Sequence, residues 1–183
     1  MKLLREYIIE LLTESAIDPK IMSMIDKLEQ RRGSVKVKRN GISVIVDGHT
    51  IAMVTYDPHN GGYGKCLGSD IISFSEAEDG FGPLAYDIAI ETTGGLTPDR
   101  EEVSSSARNV WAYYEKNRPD VSVEQLDDEN NTLTPEEIDN CKQDSAIQDV
   151  GSDEFEKSPL SKVYKKSGTP VIDELRKRGM IRE

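Results

Sequence analysis

Few residues in this chain are arranged to do chemistry, and the most suggestive lie at Gly80-Phe81-Gly82-Pro83, where a β-rich run gives way to a helical one. A helix amino terminus presents unpaired N–H groups and a partial positive charge, and glycines there let a phosphate come close to the backbone. The chemistry this suits is the binding of a pyrophosphate, although a plain tight strand-to-helix turn carries the same signature. Asp57 and His59 sit in a glycine-rich loop, Asp57 to Gly64, as candidates for touching a substrate. His49 and His59 have no serine or cysteine nucleophile in a recognised context, so the pattern gives no triad. Asp127, Glu129 and Asn131 have the odd-position spacing that opens a calcium loop. The sixth position of such a loop lacks glycine and the twelfth is Ile138, which excludes an EF-hand. Cys66 and Cys141 are the only cysteines, and no Cys-x-x-Cys or His-x-x-x-His spacing exists. No metal site is expected, and the two cysteines read as free thiols in a reducing cytoplasm.

The elements that must position these residues show in the hydrophobic period. Leu3, Leu4, Tyr7, Ile8, Leu11 and Leu12 recur at helical spacing. A second helix starts at Asp18-Pro19, an N-cap followed by proline, turns Ile21, Met24, Ile25 and Leu28 inward and stops at Arg32-Gly33. The period then changes. Ser34 to Lys38, Ile42 to Val46 and Thr50 to Tyr56 are three short strands separated by Asn40-Gly41 and Asp47-Gly48. Both dipeptides suit the positive φ of tight hairpins. A fourth strand spans Ser69 to Phe74. Beyond the glycine turn a helix runs through Leu84, Ala85, Ile88 and Ala89 to Gly94-Gly95, and a further strand is expected within Leu96 to Val103. Ser104 or Ser105 caps a helix with the stripe Ala107, Val110, Trp111 and Tyr114. From Asp120 to Lys157 acids dominate and periodicity is weak, which reads as a solvated wrap. Within it Thr134-Pro135-Glu136-Glu137 has the form of a capping box opening a short helix. Pro170 to Arg178 supports a last helix.

These elements give an α+β fold with a mixed, mostly antiparallel sheet and flanking helices. The organisation expected is N-terminal helices over 1–32, a core over 33–119 and an acidic C-terminal extension over 120–183. At 183 residues the chain can bury a core without staples. Its net charge of −11 repels nucleic acid and anionic membranes, so neither is expected as a partner. No apolar run has the length of a membrane span.

Helices, then a β meander, a fourth strand, a glycine turn, a helix, a strand and another helix resemble the GNAT N-acetyltransferase family. The resemblance covers Ser34 to Asn117. It implies that the turn after the fourth strand holds the pyrophosphate of acetyl-CoA or another acyl-CoA, with Gly80, Phe81, Gly82 and Leu84 supplying backbone amides. Ile72 and Phe74 would then lie along the pantetheine arm, and Tyr114 would be the general acid for transfer to an amine. Two features depart from the family pattern: Glu78 and Asp79 stand where its turn carries a basic residue, and Trp111 stands where its later helix carries a tyrosine.

Gly82-Pro83-Leu84-Ala85-Tyr86-Asp87, Arg108-Asn109-Val110-Trp111, Glu124-Gln125-Leu126-Asp127-Asp128, Asn131-Thr132-Leu133-Thr134-Pro135 and Ser158-Pro159-Leu160-Ser161-Lys162 look like a group of acetyltransferase-like tailed-phage proteins. Met1 to Ile8 resembles the capsid-targeting helices of T-even-like phages, with Leu12-Thr13-Glu14 fitting the site at which their prohead protease cuts. The resemblance implies a host-cytoplasmic protein that is packaged in the phage head. Two readings stay open: an acyltransferase, and a non-catalytic protein of the same fold that binds a host or virion protein.

Overall fold

The computed structural model describes residues 17–78, 80–143 and 152–182. The expected first helix and the Glu14 cleavage motif lie outside the described residues, as does Asp79. The chain is α+β. Helix α1 (Pro19–Gln30) is followed by β1 (Ser34–Lys38), β2 (Gly41–Val46), β3 (His49–Asp57), two short 3-10 turns and β4 (Asp70–Ala77). Next come α2 (Gly82–Thr93), β5 (Leu96–Thr97), α3 (Ser105–Asn117) and β6 (Ser122–Gln125). The last elements are α4 (Ser152–Lys157), β7 (Lys162–Lys165), α5 (Pro170–Lys177) and β8 (Ile181–Arg182). Among the described residues eight strands form one sheet, in the order β6-β7-β5-β4-β3-β2-β1-β8. Only β4/β5 and β1/β8 are parallel.

Local chemistry accounts for the first half. Asp18 caps α1 by accepting from the Lys20 and Ile21 N–H groups at 2.8 and 3.4 Å. Ile21, Ile25 and Leu28, at helical spacing, are buried against the sheet. A Cβ at Gly33 would meet a Leu28 side-chain carbon at 2.2 Å, so only glycine lets β1 start this close to the helix. Asp47 and Gly48 have the positive φ expected of a tight hairpin. Asn40-Gly41 is different, because neither residue has positive φ. Gly41 is required for another reason: a Cβ there would lie 2.8 Å from the Val54 carbonyl on the paired strand.

Helix α2 crosses the inner face of β2 and β3 and touches α1 and α5. It is buried from Leu84 to Glu91, all the way round, as befits a helix covered on every side. On the other half of the sheet Trp111 of α3 packs on Tyr164 of β7 with ring centroids 4.5 Å apart.

The strand expected within Leu96 to Val103 is present as β5, two residues long because Pro98, which has no N–H to donate, follows it. Two expectations are corrected. The stretch after Asp120 is not a solvated wrap: it supplies β6, and Val121, Leu126, Asp127, Asn131, Cys141 and Gln143 are buried. The capping box opens no helix. Thr134 donates its N–H to Asp127 at 2.9 Å and its hydroxyl to Asp139 at 2.7 Å, which ties the segment into a loop between the two carboxylates.

Candidate functional site

Strand β4 meets β5 only at Asp70↔Leu96 and Ile71↔Thr97. From Ile72 onward that edge of β4 has no strand partner among the described residues, and the sheet splits. A bulge in the β3/β4 ladder falls at the same place, since Tyr56 pairs with Ile72 and Thr55 with Phe74, leaving Ser73 unmatched. Two adjoining cavities of about 390 and about 250 Å³ fill the split, both walled by Ser75, Tyr86, Ser104 and Ala107. The larger ends at Gly80, Gly82 and Pro83, at the start of α2. The smaller opens toward Phe74, Asp99 and Glu102.

Gly80 has φ +78° and no atom of the described residues within 4 Å of the position of a Cβ. Phe81, at the N-cap of α2, makes no side-chain capping bond, and none comes from another described residue. The Phe81 N–H donates to the Glu78 carbonyl at 3.1 Å, and Pro83 has none to offer. The amides of Gly82 and Leu84 have no partner among the described residues, which is the arrangement that accepts an anion at a helix start. Phe81 is therefore corrected as an amide donor, and its ring is buried in the core. The guanidinium of Arg31, at the end of α1, lies 5.9 Å from that ring and brings a cation beside the turn, which its own sequence lacks.

Of the residues expected in the site, Gly80 and Gly82 line the larger cavity and Ile72 and Phe74 the smaller. Asp57 is exposed at the end of β3 and lines neither; the side chain of His59 lies outside the described residues. Tyr114 is corrected. It is fully buried, donates its hydroxyl to the Asp87 carboxylate and the Pro83 carbonyl, and faces neither cavity. Burial foremost, and then the Asp87 charge, hold that hydroxyl well above the ordinary phenol range.

Tyr86, which the sequence pattern does not mark as a site residue, stands where the two cavities meet. Its hydroxyl lies 2.8 Å from the Ser75 hydroxyl on β4, and its ring meets Trp111 edge-on at 4.9 Å. Burial raises its pKa, with the Ser75 hydrogen bond opposing, so it stays protonated at neutral pH and can give up a proton. No signal in the sequence separated Tyr86 from the other buried residues of α2. No family model, curated protein or solved structure matches this chain. The cleft must be read from its own geometry.

The charges around the cleft are acidic: Glu76 on the larger cavity, Asp99 and Glu102 on the smaller. Burial foremost raises the pKa of Asp99, against the pull of the N–H groups of Glu101 and Glu102. Behind α2 lies a buried ion network. Asp87 takes a two-pronged bond from Arg118 at 2.7 and 2.9 Å and a third from Lys166 at 3.0 Å. Arg118 also binds Asp120, and Lys166 binds Glu91, which in turn caps α5 through the Val171 and Ile172 N–H groups. Among the described residues no group of three or more His, Cys, Asp or Glu side chains is arranged to hold a metal, and no helix is long and apolar enough to cross a membrane.

Cys66 and Cys141 are not free thiols. They form a disulfide, with Cα atoms 4.6 Å apart. Tyr63 to Leu67 pairs along Ile138 to Lys142, through Lys65 N–H and Cys66 N–H to Asn140, Leu67 N–H to Ile138 and Lys142 N–H to Tyr63. This backbone zipper brings the two sulfurs together. Seventy-five residues separate them in the sequence, so their meeting follows from the fold and from no local motif.

Tyr56, Tyr86, Tyr114 and Tyr164 all have raised pKa values, each chiefly through burial, Tyr56 to about 12. Unfolded tyrosines lose their proton near pH 10. A folded pKa above the unfolded one gives stability that is complete below about pH 10 and is lost as the pH climbs through the folded value. Alkaline titration is expected to show these phenolates appearing together with loss of circular dichroism. Their ionisation near pH 10 in a chain still folded would refute this.

Proposed function

We propose that this chain is a phage acetyltransferase-like protein of GNAT-like fold that transfers an acyl group from acyl-CoA to an amine. The observation that carries the reading is the split between β4 and β5, whose larger cavity ends at Gly80, Gly82 and Pro83, with the unpartnered amide of Gly82 at its end and that of Leu84 next along the helix. Those amides suit a pyrophosphate, and the free edge of β4 from Ile72 to Ala77 suits the amide groups of a pantetheine arm. Acyl-CoA supplies the activated thioester. Tyr86 takes the role that the resemblance gave to Tyr114: its hydroxyl protonates the departing thiolate, held in place by Ser75. Asp99 and Glu102, at the mouth of the smaller cavity, attract a cationic amine, and Asp99, its pKa raised chiefly by burial, takes up the proton that the amine must lose before its nitrogen attacks the thioester.

Calorimetry with acetyl-CoA tests the reading. Heat of binding is expected, together with thiol release in the presence of polyamines or lysine peptides. Tyr86→Phe is expected to slow that release about 100-fold or more while leaving acetyl-CoA affinity unchanged. No heat and no rise in melting temperature at millimolar acetyl-CoA would sink the proposal. The acidic lining, with Glu76 and Glu78 beside the turn, favours the second reading. In that reading the same fold binds a host or virion protein without catalysis, and a pull-down from host lysate recovers a salt-sensitive partner. Under either reading we place the protein in the host cytoplasm and in the phage head, with the Cys66–Cys141 bond closing once the chain has left the reducing cytosol.

A further inference from the structure

The loop from Asp127 to Asp139 buries more negative charge than the protein neutralises there. Asp127 is fully buried, Asp128 is 3% exposed and Asp139 is 8% exposed. Each has one carboxylate oxygen satisfied. Asp127 Oδ2 accepts from the Leu133 and Thr134 N–H groups at 2.8 and 2.9 Å, and Asp139 Oδ2 accepts from the Thr134 hydroxyl at 2.7 Å. Asp128 Oδ1 accepts from the Asn130 and Asn131 N–H groups at 2.8 and 2.7 Å. The second oxygen of all three carboxylates is buried and has no donor in the protein. A carboxylate oxygen out of water with no donor is costly, and an unpaired buried charge is costlier still.

Arg100 is the buried cation of this region. It spends its donors on the carbonyls of Lys142, Leu160 and Cys141 at 3.1, 2.7 and 3.0 Å. Among carboxylates its charge is felt chiefly by Asp128 and Asp99. No ion pair reaches Asp127 or Asp139 among the described residues. These two carboxylates flank one residue, Thr134, and the Asp127 N–H donates to the Asp139 carbonyl at 3.1 Å. Two uncompensated negative charges with free oxygens are the complement of one divalent cation.

We propose that Asp127 and Asp139 hold a calcium ion, which completes its coordination with main-chain carbonyls and water. The donors are all hard oxygens, which excludes a thiol-loving or imidazole-loving metal. Calcium accepts an irregular set with few carboxylates, whereas magnesium demands a near-octahedral one and keeps its water. The site is not an EF-hand, since no helix flanks the loop and Ile138 stands at the twelfth position. With two carboxylates, the affinity belongs at the weak end of calcium sites, a Kd of about 10⁻⁴ M.

Calorimetric titration of the chelator-treated full chain with calcium chloride is expected to give one site. A hundredfold excess over Kd is expected to raise the melting temperature by about 5–10 °C. Asp127→Asn and Asp139→Asn keep the acceptor geometry and are expected to lose the heat and the shift, whereas Glu129→Gln, at an exposed acid of the same loop, keeps both. The wild-type titration stands alone should either buried variant fail to fold. An unmoved melting temperature and no heat at millimolar calcium would overturn the site. So would a calcium response that survives in both buried variants, or a tighter response to magnesium.

Discussion

Arg118→Met is expected to lower the free energy of unfolding by about 3–5 kcal/mol, the usual result of deleting one member of a buried ion pair. Arg118 has no solvent exposure of its side chain and neither has Asp87, whose two oxygens it binds at 2.7 and 2.9 Å. The loss falls on four elements at once. Asp87 belongs to α2, Arg118 follows α3, Asp120 leads into β6, and Lys166 follows β7. With the guanidinium gone, Asp87 is left with Lys166 and the Tyr114 hydroxyl. Chemical denaturation gives the number. Arg118→Lys keeps the charge and loses the two-pronged geometry, so it belongs between the wild type and Arg118→Met. Adding Asp87→Asn to Arg118→Met should recover part of the loss, because the damage comes from the charge left behind. A midpoint unchanged in Arg118→Met, or a double variant less stable by the simple sum, would show that the network contributes packing alone.

Reduction of the Cys66–Cys141 bond is expected to cost about 4 kcal/mol, the chain-entropy value for a loop closed over 75 residues. For a chain of this length that is a fall of about 10 °C in melting temperature. The bond holds the loop after β3 against the segment from Leu126 to Gln143, so its loss loosens the zipper from Tyr63 to Leu67 before the core. Comparing melting with and without a reductant, and in Cys141→Ser, measures it. Two thiols open to alkylation in the native, unreduced protein, or identical melting in both conditions, would refute the bond.

The first half of the fold was legible because its signals are local. Asp18-Pro19 starts a helix by capping and fixed φ, Asp47-Gly48 turns a hairpin by positive φ, and Gly94 ends α2 in the left-handed region. The strands after Asp120 were not legible. Ser122 to Gln125 and Lys162 to Lys165 are four residues each, too short for a period to show, and are strands because each has a neighbour in the sheet to pair with. Thr134 misled because its capping chemistry is real but directed at Asp127 and Asp139. In the cleft, the glycine turn could be read from residue types, since only glycine tolerates that backbone. Choosing between Tyr86 and Tyr114 could not. Helix α2 is buried on all sides, so its period does not say which residues face a cavity. Tyr114 has the same helical phase as Trp111 whether it faces a ligand or a carboxylate.

Strand β7 lies between β5 and β6, although the ribosome makes it after both. A nascent chain therefore cannot complete this sheet in the order of translation. Between the emergence of Leu96 and that of Lys165 on the order of 3–14 s pass at ordinary elongation rates. Throughout that interval β5 has only its two-residue contact with β4, and Trp111 has no Tyr164 to cover it. The meander β1–β4 can zip early from neighbouring segments, while the other half waits with an open seam that a holding chaperone would recognise. Insertion of Tyr164 into that seam is the step that joins the two halves into one sheet.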